Sequence, residues 1–196
     1  DAPVSGGVKG AVAGTLAFMV GGDEGDVERA RAVLEPMAGK VVHCGAAGAG
    51  QAAKLCNNMV LAVQQIAVGE AFVLAEKLGL PAQSLFDVIT GATGNCWAVH
   101  TNCPVPGPVP TSPANNEFKP GFATALMNKD LGLAMDAVTS TGARAPLGLQ
   151  ALAPVAEPGG EVREAGGLGI DRALELADGD LVVVAGVRSE ERRVGK

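Results

Sequence analysis

The longest uninterrupted helical pattern in the chain runs from Gln51 to Leu78, a stretch without proline and with Gly69 as its one glycine. Leu55, Met59, Ala62, Ile66 and Val73 recur there at the spacing of a single helix face. Gly79, in C-cap position, and Pro81, which cannot continue a helix, end the pattern. At 1.5 Å per residue such a helix reaches roughly 40 Å, which exceeds the usual helix of a small domain and predicts a rod that joins two bodies.

Shorter patterns flank it. Asp1 to Ala11 reads as the end of a strand entering a loop, and Thr15 to Gly21 as a short apolar strand. Asp23 to Ala38 predicts a helix with Val27, Ala30, Val33, Leu34 and Met37 on one face, and Lys40 to Cys44 a second strand. Strand, helix and strand in this order form a βαβ-like unit, which needs neighbouring strands to complete a sheet. Beyond the rod, Pro81 to Gly91 predicts a helix with Leu85, Val88 and Ile89 inward, and residues 94–120 a long irregular loop rich in Pro, Ser and Asn. Phe122 to Thr141 is helical again, with Leu126, Leu131, Leu133, Ala134 and Val138 apolar, and Pro146 suits the first turn of a helix reaching about Val155. From Glu157 the glycines break the pattern. Asp171 to Ala177 reads as a short helix, Leu181 to Ala185 as a strand, and Arg188 to Lys196 as a disordered charge run.

Composition narrows the functional classes. The 196 residues are 47% hydrophobic and 18% charged, enough for a packed core and too apolar for a disordered chain. A net charge of -6 argues against a nucleic-acid surface, and 3% aromatic residues argue against base stacking. Cys44, Cys56, Cys96 and Cys103 form no CxxC, and with only His43 and His100 to join them they make no zinc constellation, so they read as reduced thiols of a cytosolic-type protein. No run of about 20 apolar residues predicts a membrane span, and no charged-then-apolar leader is seen. The start at Asp1-Ala2-Pro3, without an initiator methionine, reads as the interior of a longer protein.

Candidate chemistry gathers at the head of the rod. Lys54 and Asn58 are one turn apart and share a face, with Gln65 two turns further on. The positive end of the helix dipole together with partial burial would lower the pKa of a lysine placed there and suit it to proton transfer, although an isolated Lys-x-x-x-Asn also fits a solvated surface. Ser5, Gly6 and Gly7 offer a hydroxyl and open backbone N–H groups, the makings of a carboxylate site or of a plain turn. The only tryptophan, Trp97, lies in the long loop and suits either function or a core anchor. The adjacent Lys129 and Asp130 read, by themselves, as a solvated helix face.

Three stretches, DAPVSGGVKGAVAGTLAFMVGG, GAGQAAKLCNNM and FATALMNKDLGLAMDA, resemble the β-hydroxyacid dehydrogenase family in order and spacing. The loop GNCWAVHTNCPVPGPVPTSPANNEFKPGF is most similar to that family's 3-hydroxyisobutyrate dehydrogenase branch. The resemblance spans Asp1 to about Val155. It implies an α/β remnant of a Rossmann-type domain, followed by a long interdomain helix and an all-α C-terminal domain that assembles as a homodimer or homotetramer. The divisions expected are 1–47, 48–78 and 79–156, with 157–196 unlike the family. It further implies oxidation of a small 3-hydroxy acid, 3-hydroxyisobutyrate in valine degradation, with NAD as hydride acceptor and without a metal, in the cytoplasm or, in a eukaryote, the mitochondrial matrix. By the same resemblance Ser5, Gly6 and Gly7 receive the substrate carboxylate, Lys54 exchanges the hydroxyl proton and Asn58 orients the hydroxyl. Trp97 belongs to the substrate loop, and Lys129 faces the cofactor. The GxGxxG fingerprint of the family is not in this chain, and Gly45 to Gly50 does not replace it, because no acidic residue follows at ribose distance. Two further readings remain open, a sister activity such as tartronate-semialdehyde reduction and a non-catalytic helical oligomerisation module.

Overall fold

A computed structural model describes residues 1–119 and 121–152, together with the strand residues Leu176–Ala177 and Asp180–Leu181. The chain packs as two compact units, one formed by Asp1–Val60 with Lys129–Ala145, the other by Leu61–Asn128 with the chain from Pro146 onward.

The first unit is built on three strands in the order β1 (Val4–Ser5), β2 (Leu16–Gly21) and β3 (Ala38–Gly45). β1 runs antiparallel to β2, with Val4 opposite Phe18, while β2 and β3 are parallel, with Phe18 opposite Val41. Between β2 and β3 lies α2 (Glu24–Leu34), so the expected βαβ unit is present. Leu16, Phe18, Val20 and Val27 form its buried core, with Val4, Leu34, Ala38 and Val41 packed against them. Alternate residues of β2 face inward, as the period of a strand requires.

Three local readings are corrected. The loop expected up to Ala11 contains α1 (Gly7–Ala13), which the left-handed Gly14 ends at φ 64°. The helix expected to reach Ala38 stops at Leu34, and a 3-10 turn covers Glu35–Met37, because Pro36 lacks the N–H a continuing α-helix needs. Val33 of α2 and Met37 of the 3-10 turn do not join Val27 inside; they are 69% and 42% exposed.

The long rod is α3 (Ala49–Lys77), 29 residues that would extend ~43 Å at the standard rise. Its most apolar stretch has a mean hydropathy of 1.5, so by length and composition only α3 is long and apolar enough to cross a membrane, where no such run was expected. Of that stretch, 33% is buried inside the protein. Val68 and Phe72 of α3 are buried with Ala98, Val99, Cys103, Val105 and Val109 in the core of the second unit. Of the face expected on α3, Ala62 is buried and Leu55, Met59, Ile66 and Val73 are half-buried, while Val68, Phe72 and Ala75 are the other buried apolar side chains.

The second unit adds α4 (Ala82–Thr90), α5 (Trp97–His100), the first residues of α6 (Thr124–Thr141) and α7 (Pro146–Leu152). Leu85, Phe86 and Ile89 of α4 pack on the core, whereas Val88, expected inward, is 63% exposed. The segment expected to be irregular contains the short α5 and a 3-10 turn at Pro113–Asn115. Asn115 organises the loop around itself: its Oδ1 accepts the N–H of Gly107 at 2.9 Å and its Nδ2 donates to the carbonyl of Val109 at 2.8 Å. Further on, β4 (Leu176–Ala177) pairs antiparallel with β5 (Asp180–Leu181). This replaces the helix expected at Leu176 and Ala177, since paired antiparallel strands satisfy each other's N–H and C=O groups. The rest of the helix expected from Asp171, the strand expected to reach Ala185, the end of the helix expected near Val155 and the terminal charge run lie outside the described residues.

Candidate functional site

β1 ends at Ser5, and the chain turns through Gly6 at φ 130° into Gly7 at φ 58°, the first residue of α1. These angles belong to the region that glycine enters without cost, and a Cβ on Gly6 would also lie 3.1 Å from the Leu16 side chain. Ser5 is half-buried, and Gly6 and Gly7 are exposed. Local geometry therefore explains the glycine pair before any ligand is considered.

The head of α3 is joined to the end of β2 by Asp1. The backbone carbonyl of Asp1 accepts the N–H of Gly21 at 2.8 Å, aligning it beside the end of β2. Its carboxylate accepts the N–H of Gly48 at 2.7 Å through Oδ1 and that of Gln51 at 2.8 Å through Oδ2. These are donors at the start of α3, which have no partner inside the helix. The junction is tight. A Cβ on Gly50 would collide with the carbonyl of Met19 and lie 2.8 Å from Asp1 Oδ2. Gly50 thus serves close packing, and the amino end of α3 is filled by a carboxylate of the chain itself. That negative charge opposes the dipole field expected to act on Lys54.

Lys54 follows one turn after Gln51 and is half-buried. No acidic side chain forms an ion pair with it among the described residues. One further turn along, Asn58 is buried, 7% exposed. Its Nδ2 donates to Asp130 Oδ2 at 2.6 Å, and its Oδ1 accepts from Asn57 Nδ2 at 3.1 Å. The other oxygen of Asp130 lies 3.3 Å from Lys129 Nζ, whose side chain is 63% exposed.

Asp130 is therefore the site residue that sequence reasoning misses. Beside Lys129 it reads as half of a solvated pair, and in the fold it is 7% exposed. On α6 the buried positions are Met127, Asp130, Leu131 and Ala134, spaced as one helix face, whereas Leu126 and Leu133, expected to be core, are both 48% exposed. The signal is there: a carboxylate three residues after one core position and four before another lies on the inward stripe, where it needs a partner.

Ser5, Gly6, Gly7, Lys54, Asn58 and Lys129 all fall in the first unit, and one carboxylate links Asn58 to Lys129. Trp97 falls in the second. It begins α5 and is 46% exposed while Ala98 and Val99 beside it are fully buried, so it is not a core anchor. All four cysteines are free thiols, and burial pushes Cys103 above its ordinary value of 9.0, against a smaller opposing effect from a backbone hydrogen bond at Val105.

Comparison with known proteins places this arrangement. Residues 1–45 match the NAD binding domain of 6-phosphogluconate dehydrogenase, and residues 48–163 match the NAD-binding domain of NADP-dependent 3-hydroxyisobutyrate dehydrogenase. A probable 3-hydroxyisobutyrate dehydrogenase of Mycobacterium tuberculosis is 87% identical over 151 residues, 77% of this chain and 51% of that protein. The mitochondrial 3-hydroxyisobutyrate dehydrogenase of Homo sapiens is 48% identical over 153 residues, 78% of this chain and 45% of that protein. A solved structure of the Mycobacterium tuberculosis enzyme with L-serine superposes with a TM-score of 0.76 at 84% identity, covering 79% of this chain and 53% of that one. The chain thus spans about half the length of the curated relatives it matches. With a three-stranded α/β unit, a long helix carrying Lys54 and Asn58, and this breadth of match, the chain belongs to the 3-hydroxyisobutyrate dehydrogenase family.

Proposed function

We propose that this chain carries the substrate side of an NAD(P)-dependent 3-hydroxyacid dehydrogenase that oxidises 3-hydroxyisobutyrate to methylmalonate semialdehyde. The observation that carries the reading is the placement of Lys54 one turn from the buried Asn58 on α3, in the same unit as the Ser5–Gly7 turn. The substrate carboxylate is received by Ser5, Gly6 and Gly7, the hydroxyl by Asn58, and the hydroxyl proton by Lys54. In reduction Lys54 returns that proton to the developing alkoxide. Bound nicotinamide supplies the hydride acceptor. The L-serine that accompanies the mycobacterial enzyme in its solved structure supports the substrate class, because serine and 3-hydroxyisobutyrate both carry a carboxylate and a primary hydroxyl on the third carbon.

The described residues fit the dinucleotide only in part. Lys129 offers an exposed cation, but the strand–glycine–helix junction at Gly45 to Gly50 already gives its Gly48 and Gln51 N–H groups to Asp1. The family assignment supports a nicotinamide cofactor; these residues supply no pyrophosphate site of their own.

The all-α character of residues 79–156 and assembly as a homodimer or homotetramer belong to the same proposal. They are supported by the helices α4, α5 and α7 and by the exposed leucines Leu147 and Leu149, 61% and 59% accessible. The resemblance of the Trp97 loop to the 3-hydroxyisobutyrate dehydrogenase branch favours the branched 3-hydroxyisobutyrate over tartronate semialdehyde.

The test is a full-length dehydrogenase in which residues 1–152 of this chain replace the matching segment of the mycobacterial relative. It should reduce NAD with 3-hydroxyisobutyrate, and Lys54→Ala should lower kcat by about 10²–10⁴-fold with the fold intact. Undiminished turnover in Lys54→Ala would remove the role given to that lysine.

A further inference from the structure

We infer that Asp130 is a positioning residue: its buried carboxylate selects one of the two orientations of the Asn58 amide and holds Lys129 at its other oxygen. The inference rests on the proposed role of Asn58 at the substrate hydroxyl and deepens it.

A carboxamide can sit in its pocket in two ways related by a half-turn, which exchange a donor for an acceptor. An ionised carboxylate only accepts hydrogen bonds, so the group that meets Asp130 Oδ2 at 2.6 Å must be the Asn58 nitrogen. The flipped amide would press a carbonyl oxygen against a carboxylate in a site where both residues are 7% exposed and little water is present to screen the repulsion. Oδ1 of Asn58 is thereby turned away from Asp130, where it accepts from Asn57 Nδ2 at 3.1 Å and keeps a second lone pair. The substrate hydroxyl then meets an amide whose acceptor and remaining N–H are fixed beforehand, so no reorientation is needed when it binds.

The second oxygen of the same carboxylate lies 3.3 Å from Lys129 Nζ. One side chain thus links the residue assigned to the hydroxyl and the residue assigned to the cofactor. It does so from an inward position of α6, flanked by Met127, Leu131 and Ala134, where an apolar residue would be the ordinary occupant. A carboxylate at such a position needs partners, and the two it has are both assigned site residues.

Asp130→Asn keeps the volume and can accept or donate, so it releases the choice of orientation. In the 196-residue chain, the Asn58 side-chain amide signals in a ¹H–¹⁵N spectrum, identified by their loss in Asn58→Ala, should move in Asp130→Asn while the remaining amides stay in place. Unmoved Asn58 signals would overturn the inference. In the full-length dehydrogenase carrying this segment, Asp130→Asn should lower kcat on the order of tenfold or more with a smaller change in KM. That penalty should disappear in an Asn58→Ala background, because the two residues act as one unit. An equal penalty in both backgrounds would mark Asp130 as a structural residue and overturn the inference. If Asn58→Ala left turnover intact, the role of Asn58 in the proposed reaction would fail, while the amide signals would still decide whether Asp130 orients it.

Discussion

Asp1 Oδ2 accepts the backbone N–H of Gln51 at 2.8 Å, so the first turn of the long helix is capped by a residue from the segment that leads into β1 and the Ser5–Gly7 turn. Oδ1 takes the N–H of Gly48 at 2.7 Å, and one carboxylate thus satisfies two of the donors that a helix start leaves open. The connection sets Lys54, one turn beyond Gln51, at a defined place relative to β2.

Asp1→Ala should lower stability by about 1–2 kcal/mol, the usual loss when a charged cap is removed from backbone donors. Asp1→Asn, which keeps one acceptor oxygen, should cost about half as much. Urea midpoints at unchanged slope would measure both. Equal stability of all three proteins would mean that the carboxylate does not cap the helix.

Gly50→Ala tests the packing of the same junction. The added methyl meets the Met19 carbonyl and Asp1 Oδ2, atoms of backbone and of a hydrogen-bonded carboxylate that have little freedom to withdraw. Overpacking of this kind costs about 1–3 kcal/mol. Gly48→Ala has open space at the Cβ and pays mainly for its φ of 91°. Thermal denaturation of the two variants separates a collision from a conformational cost.

In the second unit Phe72 is 2% exposed within the cluster of Val68, Val99, Cys103 and Val105. Phe72→Ala should therefore destabilise by about 3–5 kcal/mol, the range for deleting a buried aromatic ring. Leu147→Ser, at 61% exposure, should change the stability of the monomer by no more than about 0.5 kcal/mol. Denaturant titration at low protein concentration checks both values, and sedimentation of Leu147→Ser at high concentration tests whether the same face is used in assembly.

Cys103 makes stability depend on pH at the alkaline end. Burial holds its thiol above the ordinary value of 9.0, so the unfolded chain loses this proton first as pH rises through that value. The folded chain then binds more protons than the unfolded one, and stability falls with rising pH above about 9 while remaining level below it. Cys103→Ala should remove that alkaline decline. The exposed Cys56 should also react with a thiol reagent well before Cys103 does. Equal labelling rates would contradict the burial.

Local pattern determined a large part of this protein. The proline-free run that forms α3, the apolar alternation of β2 and the breakers at Gly79 and Pro81 all act within a few residues, through backbone conformation and side-chain period. The ordered motifs around Ser5, Lys54 and Lys129 also point to the family, because their residue types and spacings are joined in one chain. Exact faces are another matter. Val33, Val88, Leu126 and Leu133 fit an inward stripe by hydrophobicity, yet each is exposed, since which side of a helix is buried depends on what packs against it. The tertiary structure alone decided the two carboxylates. Asp1 and the head of α3 are 50 residues apart and Asn58 and Asp130 are 72 apart; hydrogen bonds over such separations have no local signature. A carboxylate near either position could equally face water, and only the folded chain, by excluding water from Asn58 and Asp130, turned an ordinary surface residue type into a partner the buried amide requires.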